Sequence, residues 1–120
     1  MIEGQFDEEG KLLFEINLVT IDGETIPVEV VLDTGFTEWI VMNTQDIDSV
    51  GWNKIDNKIM QTAQGETQMD IYAGTVQIDG EMFNVPILGG DAIPEILMGL
   101  QWLKTRRLVV DFPAGVLTLG

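Results

Sequence analysis

Two ten-residue stretches, Val19-Thr20-Ile21-Asp22-Gly23-Glu24-Thr25-Ile26-Pro27-Val28 and Val76-Gln77-Ile78-Asp79-Gly80-Glu81-Met82-Phe83-Asn84-Val85, lie on one another without a gap. Valine, isoleucine, aspartate, glycine, glutamate and valine coincide. In each stretch Asp-Gly is flanked by β-branched runs, a strong short-range signal for a hairpin, because both residues tolerate the positive φ of a primed turn. Two readings are open. Turn chemistry restricts residues and makes unrelated Asp-Gly hairpins look alike. Alternatively the chain has an internal two-fold, each hairpin leading to a functional loop, the first at Asp33 and the second near Gly89-Gly90-Asp91 and Gly99. Both readings predict an all-β chain.

The rest of the chain fits that class. Gln5 to Lys11 reads as a turn between two short strands, the second being Leu12–Val19. Ile26-Pro27-Val28-Glu29-Val30 returns from the first Asp-Gly turn, with Pro27 near the strand start, where its missing N–H costs least. Residues 44–57 show no clear period and read as a loop anchored by Trp52. Residues 58–72 read as a projecting hairpin broken at Ala63-Gln64-Gly65-Glu66. Leu100 and Leu103, with Arg107 or Trp102, fit one short amphipathic helix, with Lys104, Arg106 and Arg107 suited to its negative end or to acidic neighbours. The chain closes as a hairpin, Leu108 to Phe112 and Val116 to Leu119, around Pro113-Ala114-Gly115. At 120 residues, positions 1–120 are expected to form a single domain with one core.

Composition removes most chemistries. There is no cysteine and no histidine, so thiolate nucleophiles, imidazole bases, disulfides and the usual zinc sites are excluded, and neither a metal nor a cofactor is expected. A formal charge of −14, from 20 acidic and 6 basic residues, argues against a nucleic-acid partner. No apolar run approaches the roughly 20 residues of a membrane span, so no membrane partner is expected. The acidic start lacks the pattern of a secretory signal, which makes a cytoplasmic location the expectation. The remaining chemistry belongs to carboxylates, hydroxyls, lysines and water.

Among the carboxylates, Asp33 is singled out by its setting. Val30-Val31-Leu32 runs straight into Asp33-Thr34-Gly35, Thr37 follows, and Trp39-Ile40-Val41-Met42 continues as an apolar strand. About sixty residues later Leu97-Met98-Gly99 introduces the helix. This combination resembles the clan of aspartic proteases that includes the retropepsins, and particularly their short bacterial relatives. The resemblance covers the chain from about Leu12 to Leu119. It implies an all-β, retropepsin-like acid protease barrel with one short C-terminal helix, assembled as a homodimer and cleaving peptide or protein substrates.

Residue by residue, the resemblance implies that Asp33 is the catalytic carboxylate and that Thr34 braces the two active-site loops. Gly35 would let the backbone approach the carboxylate and offer it an N–H. Gly99 would pack beneath the Asp33 loop. Ala63, Gln64, Gly65 and Glu66 would lie on a flap over substrate, and Phe36, Ile40 and Met42 would help line the cleft. Such catalysis needs two carboxylates sharing one proton. The chain has a single Asp-Thr-Gly, and Asp91 and Asp111 read as turn or surface residues, so the second carboxylate must come from a second copy. Phe36 stands where the family often has alanine or serine; without a side-chain donor there, a mildly acidic optimum of about pH 4–6 is expected. Leu100 replaces the arginine that retroviral members carry after the glycine. Met60, Met69 and Met82 are candidates for an adaptable cleft wall. A catalytically inactive peptide-binding or dimerisation module of the same fold is the alternative, and an unrelated β-barrel in which Asp33 only makes a turn is a third.

Overall fold

The two Asp-Gly stretches form two hairpins, and the structure, a computed structural model describing all of Met1–Gly120, is arranged around their pairing. The first joins β3 (Leu12–Val19) to β4 (Thr25–Leu32); the second joins β7 (Gly65–Ile78) to β8 (Glu81–Gly90). β4 leads into the Asp33 loop and then β5 (Ile40–Asn43), while β8 leads into the loop at Asp91 and then β9 (Leu97–Met98). The centre of the sheet relates these halves by an approximate two-fold. β5 and β9 pair antiparallel, Ile40 with Met98 and Val41 with Leu97. β9 runs parallel beside β4, and β5 runs parallel beside β8. The interval from Val19 to Val76 also separates Ile40 from Leu97, so the sequence repeat and the structural repeat share one register.

With β2 (Gln5–Phe6) at one edge and β6 (Asn53–Thr62) at the other, the main sheet has the order β2-β3-β4-β9-β5-β8-β7-β6. Pairing of Asn17 with Gln77 and Leu18 with Val76 joins β3 to β7 and folds the sheet back on itself. A smaller sheet, β1 (Ile2–Glu3), β11 (Val116–Leu119) and β10 (Leu108–Asp111), brings both ends of the chain together. Alternating residues of these strands fill one main core, including Phe14, Ile16, Val30, Ile40, Met42, Val76, Ile87, Met98 and Leu119. Such period-2 burial is what half-buried strands require.

Several sequence expectations are corrected. Only the second Asp-Gly turn is a two-residue turn with positive φ at both positions, Asp79 at 54° and Gly80 at 79°. The first is longer: the Thr20 N–H donates to the Glu24 carbonyl and only Gly23 has positive φ. Residues 44–57 are not a loop. Thr44–Val50 forms helix α1, capped by Asn43, whose Oδ1 accepts from the Gln45 N–H at 3.1 Å, and closed by left-handed Gly51. Ile47 and Val50 bury its inner face. The C-terminal helix is a five-residue 3-10 turn, Leu100–Lys104, following β9 as α1 follows β5. It buries Trp102 and leaves Leu100 largely exposed. The Trp102 ring meets Trp39 and Phe83 edge-on, and the Arg106 guanidinium sits 4.8 Å above the Phe83 ring and 3.4 Å from Glu81. Trp52 is the expected anchor, buried with its indole N–H on the Val19 carbonyl at 2.9 Å. No helix is long and apolar enough to cross a membrane.

Candidate active site

The Asp33 loop is held from below by the segment that follows β9. β4 ends at Leu32, and the Asp33 N–H is tied to the Met98 carbonyl at 2.9 Å. The chain then turns tightly, with the Phe36 N–H donating to the Asp33 carbonyl at 3.1 Å. From the other half, the Gly99 N–H donates to the Trp39 carbonyl and the Leu100 N–H to the Phe36 carbonyl, both at 2.8 Å. Side chains add to this: Gln101 Nε2 donates to the Thr37 carbonyl and Trp102 Nε1 to the Trp39 carbonyl. A side chain at position 99 would put its Cβ 2.7 Å from the Phe36 carbonyl oxygen, so the two segments can only approach this closely with glycine there.

Within the loop, the Gly35 N–H donates to Asp33 Oδ1 at 2.8 Å. A Cβ on Gly35 would sit 3.2 Å from that oxygen; the glycine serves a close approach, not a left-handed φ. Asp33, Thr34 and Gly35 are all exposed in the single chain. Desolvation within one chain therefore does not account for an aspartate at the end of so apolar a strand.

Asp33 lies at the rim of a cleft of about 500 Å³. Phe36, Val41, Leu88 and Leu97 form an apolar wall, faced by Met60 and Met69 from the β6–β7 hairpin and by Ile93 and Pro94 from the loop before β9. Strand alternation decides which residues face it: Val41 and Leu97, paired across β5 and β9, point into the cleft, while Ile40 and Met42 are fully buried on the core side. The expectation for Ile40 and Met42 is thus corrected, and Met82 is exposed elsewhere on β8.

The hairpin turns at Ala63 and Gln64, between Thr62 and Gly65, which pair. The Thr62 hydroxyl donates to the Gly65 carbonyl at 2.8 Å, and Gly65 carries φ of 107°. Met60, Gln61 and Thr62 contact the cleft, whereas Ala63, Gln64, Gly65 and Glu66 form the tip beyond its lining. The base of the hairpin is tied to the Asp33 loop by Lys58 Nζ and Glu38 Oε1, 2.6 Å apart.

One carboxylate near Asp33 escaped the sequence reading. Glu95 lines the same cleft and, with Lys11, an adjoining one that also includes Thr34. Lys11 Nζ lies 3.0 Å from Glu95 Oε1, and this hydrogen bond and charge hold the lysine ammonium above its usual pKa. Glu95 and Lys11 are far apart in sequence, so no local pattern could have joined them. Asp91 and Asp111 are exposed, Asp91 in the loop after β8 and Asp111 at the end of β10.

The fold is found in solved structures. A retropepsin-like aspartic protease from Rickettsia conorii superposes with a TM-score of 0.65 at 17% identity, over 98% of this chain and 88% of that one. The fold is retropepsin-like. EIAV protease complexed with the inhibitor HBY-793 gives a TM-score of 0.66 at 22% identity, over 88% of this chain and 99% of that one. The simian foamy virus (mac) protease gives 0.52 at 18%, over 79% and 100%. No protein-family model and no curated protein sequence matches the chain. At these identities the likeness establishes the retropepsin-like fold, and chemistry has to be argued from the site.

Proposed function

We propose that this retropepsin-like chain is an aspartic endopeptidase active as a homodimer, Asp33 of each subunit supplying one carboxylate of the catalytic pair. The observation that carries the reading is Asp33 itself: an exposed carboxylate held by the Gly35 N–H at 2.8 Å, on a pinned loop at the rim of an apolar cleft. Exposure of Asp33, Thr34 and Gly35 in the single chain is the state expected of a face that a second copy covers.

In this reading one ionised carboxylate takes a proton from a water molecule as its oxygen attacks the peptide carbonyl carbon. The other carboxyl gives its proton to the carbonyl oxygen. The tetrahedral diol then collapses as the amide nitrogen is protonated and the C–N bond breaks. Two like charges about 3 Å apart cannot both ionise easily, so the pair keeps the one proton this step needs. Thr34 would brace the paired loops, and the tips at Ala63–Glu66 would close over an extended substrate held as an added strand. Gly99 holds the loop from beneath and makes no contact with substrate.

Cleavage of a denatured-protein or peptide library by the parent and by Asp33→Asn, alongside sedimentation, tests the proposal. Cleavage by a dimer that Asp33→Asn abolishes supports it. Equal cleavage by both proteins removes Asp33 from the mechanism. A dimer that binds peptides but cleaves none with either aspartate or asparagine at position 33 favours a peptide-binding module, which the cleft walls would serve without Asp33.

A further inference from the structure

The cleft beside Asp33 is apolar in its walls and acidic at its rim. Its charged lining residues are Asp33 and Glu95, and no lysine or arginine is part of its lining. Gln61, Thr62 and Thr37 contribute neutral polar groups to the same lining. A site of this kind complements a long aliphatic stem ending in a cation, because the methylenes can cover Val41, Leu97 and the methionines while the charged tip reaches the rim.

Glu95 already holds such a group. Lys11 Nζ is 3.0 Å from its Oε1, and Lys11 reaches it over the adjoining cleft, outside the pocket whose rim Glu95 forms. Both side chains remain substantially exposed, 36% for Lys11 and 41% for Glu95. An exposed pair of this sort is held weakly and is exchangeable. The net charge of −14 adds a field that draws cationic segments toward the protein.

We infer that Glu95 is a specificity-determining residue that selects extended peptides placing a lysine or arginine side chain in the cleft beside Asp33, with Lys11 holding the carboxylate until that cation replaces it. This rests on the cleft being the peptide-binding site proposed above. Lysine is distinguished from an uncharged side chain of equal reach by its ammonium alone, so Glu95 acts on recognition and leaves the proton transfers of the Asp33 pair unchanged.

Peptides that differ only in lysine against norleucine, placed in turn at each position of an extended apolar segment, separate the possibilities. They are titrated by fluorescence anisotropy against Asp33→Asn, and against Asp33→Asn carrying Glu95→Gln; the parent and Glu95→Gln are then assayed for cleavage of the same peptides. The expected result is a lysine preference at one position of about three- to tenfold in affinity and in kcat/KM, carried mainly by KM and absent from Glu95→Gln. Lys11→Met, which frees Glu95, should widen the preference. Equal affinity for lysine and norleucine at every position, or a preference that survives Glu95→Gln, overturns the inference. A lysine preference in binding with no cleavage by the parent would refute the protease reading and leave Glu95's role standing. Cleavage without the preference would refute the role of Glu95 alone, and no binding or cleavage of any peptide would sink both.

Discussion

Gly99 packs so closely under Phe36 that a Cβ on the glycine would lie 2.7 Å from the Phe36 carbonyl oxygen and would strike the Glu38 carbonyl oxygen closer still. The clash is with backbone, which cannot swing away as a side chain does. Gly99→Ala is therefore expected to cost about 1–3 kcal/mol by forcing the two segments apart. Urea unfolding measures this directly, and parent-like stability would show that the loop yields without strain.

Asp33→Asn should behave oppositely. The carboxylate is exposed, and its one intrachain bond, from the Gly35 N–H, can still be accepted, though more weakly, by an amide oxygen. Unfolding free energy is expected within about 0.5 kcal/mol of the parent, while peptide cleavage is lost. A large fall in stability would mean that Asp33 is a structural residue.

Trp102 is the largest of the fully buried side chains, at 1% exposure, and its N–H is bonded to the Trp39 carbonyl at 3.0 Å. Trp102→Ala should cost about 3–5 kcal/mol. Trp102→Phe keeps much of the packing and leaves the Trp39 carbonyl with the Gly99 N–H as its donor, so it should cost less, about 0.5–1.5 kcal/mol. Parent-like thermal unfolding of Trp102→Phe would show that the hydrogen bond contributes nothing.

The Lys11 ammonium titrates above its usual value of 10.5 because Glu95 accepts its hydrogen bond and adds a favourable charge. A pKa raised on folding means that the pair stabilises the fold below the unfolded value and loses that contribution as pH rises through the folded one. As pH rises, the Lys11–Glu95 pair should thus persist past neutrality and be lost only in strong alkali. NMR titration of Lys11 should show Glu95→Gln moving the transition back down; an unmoved transition would place its cause elsewhere.

For the proposed dyad, activity requires one shared proton and so falls as pH rises and the pair loses it. Phe36 supplies no side-chain donor to stabilise the ionised form, and a maximum at about pH 4–6 is expected. A kcat/KM profile peaking near pH 2 would contradict this.

How much of this was legible before folding varies by residue. The two Asp-Gly hairpins, the terminal hairpin, the projecting hairpin at Ala63-Gln64 and the anchoring of Trp52 all follow from local turn chemistry and apolar runs. Helix α1 had signals in Asn43, Asp46 and Gly51, yet seven residues with two buried positions give too little periodicity to stand out. Whether Val41 or its neighbours Ile40 and Met42 face the cleft could not be read from an unbroken apolar run, because alternation is visible only when one face is polar.

By itself the sequence determined the class of the protein: mostly β, glycine-punctuated, built on a repeat, with Asp33-Thr34-Gly35 at the end of an apolar strand. Those properties depend on φ preferences and on residues adjacent in the chain, so they are written locally. Only the tertiary structure decided that β5 and β9 meet about the two-fold, that Gly99 must be bare beneath Phe36, and that Glu95 and Lys11 meet beside Asp33. Each of these joins segments distant in sequence, and such contacts are fixed by how the whole sheet folds back on itself, which no window of residues contains.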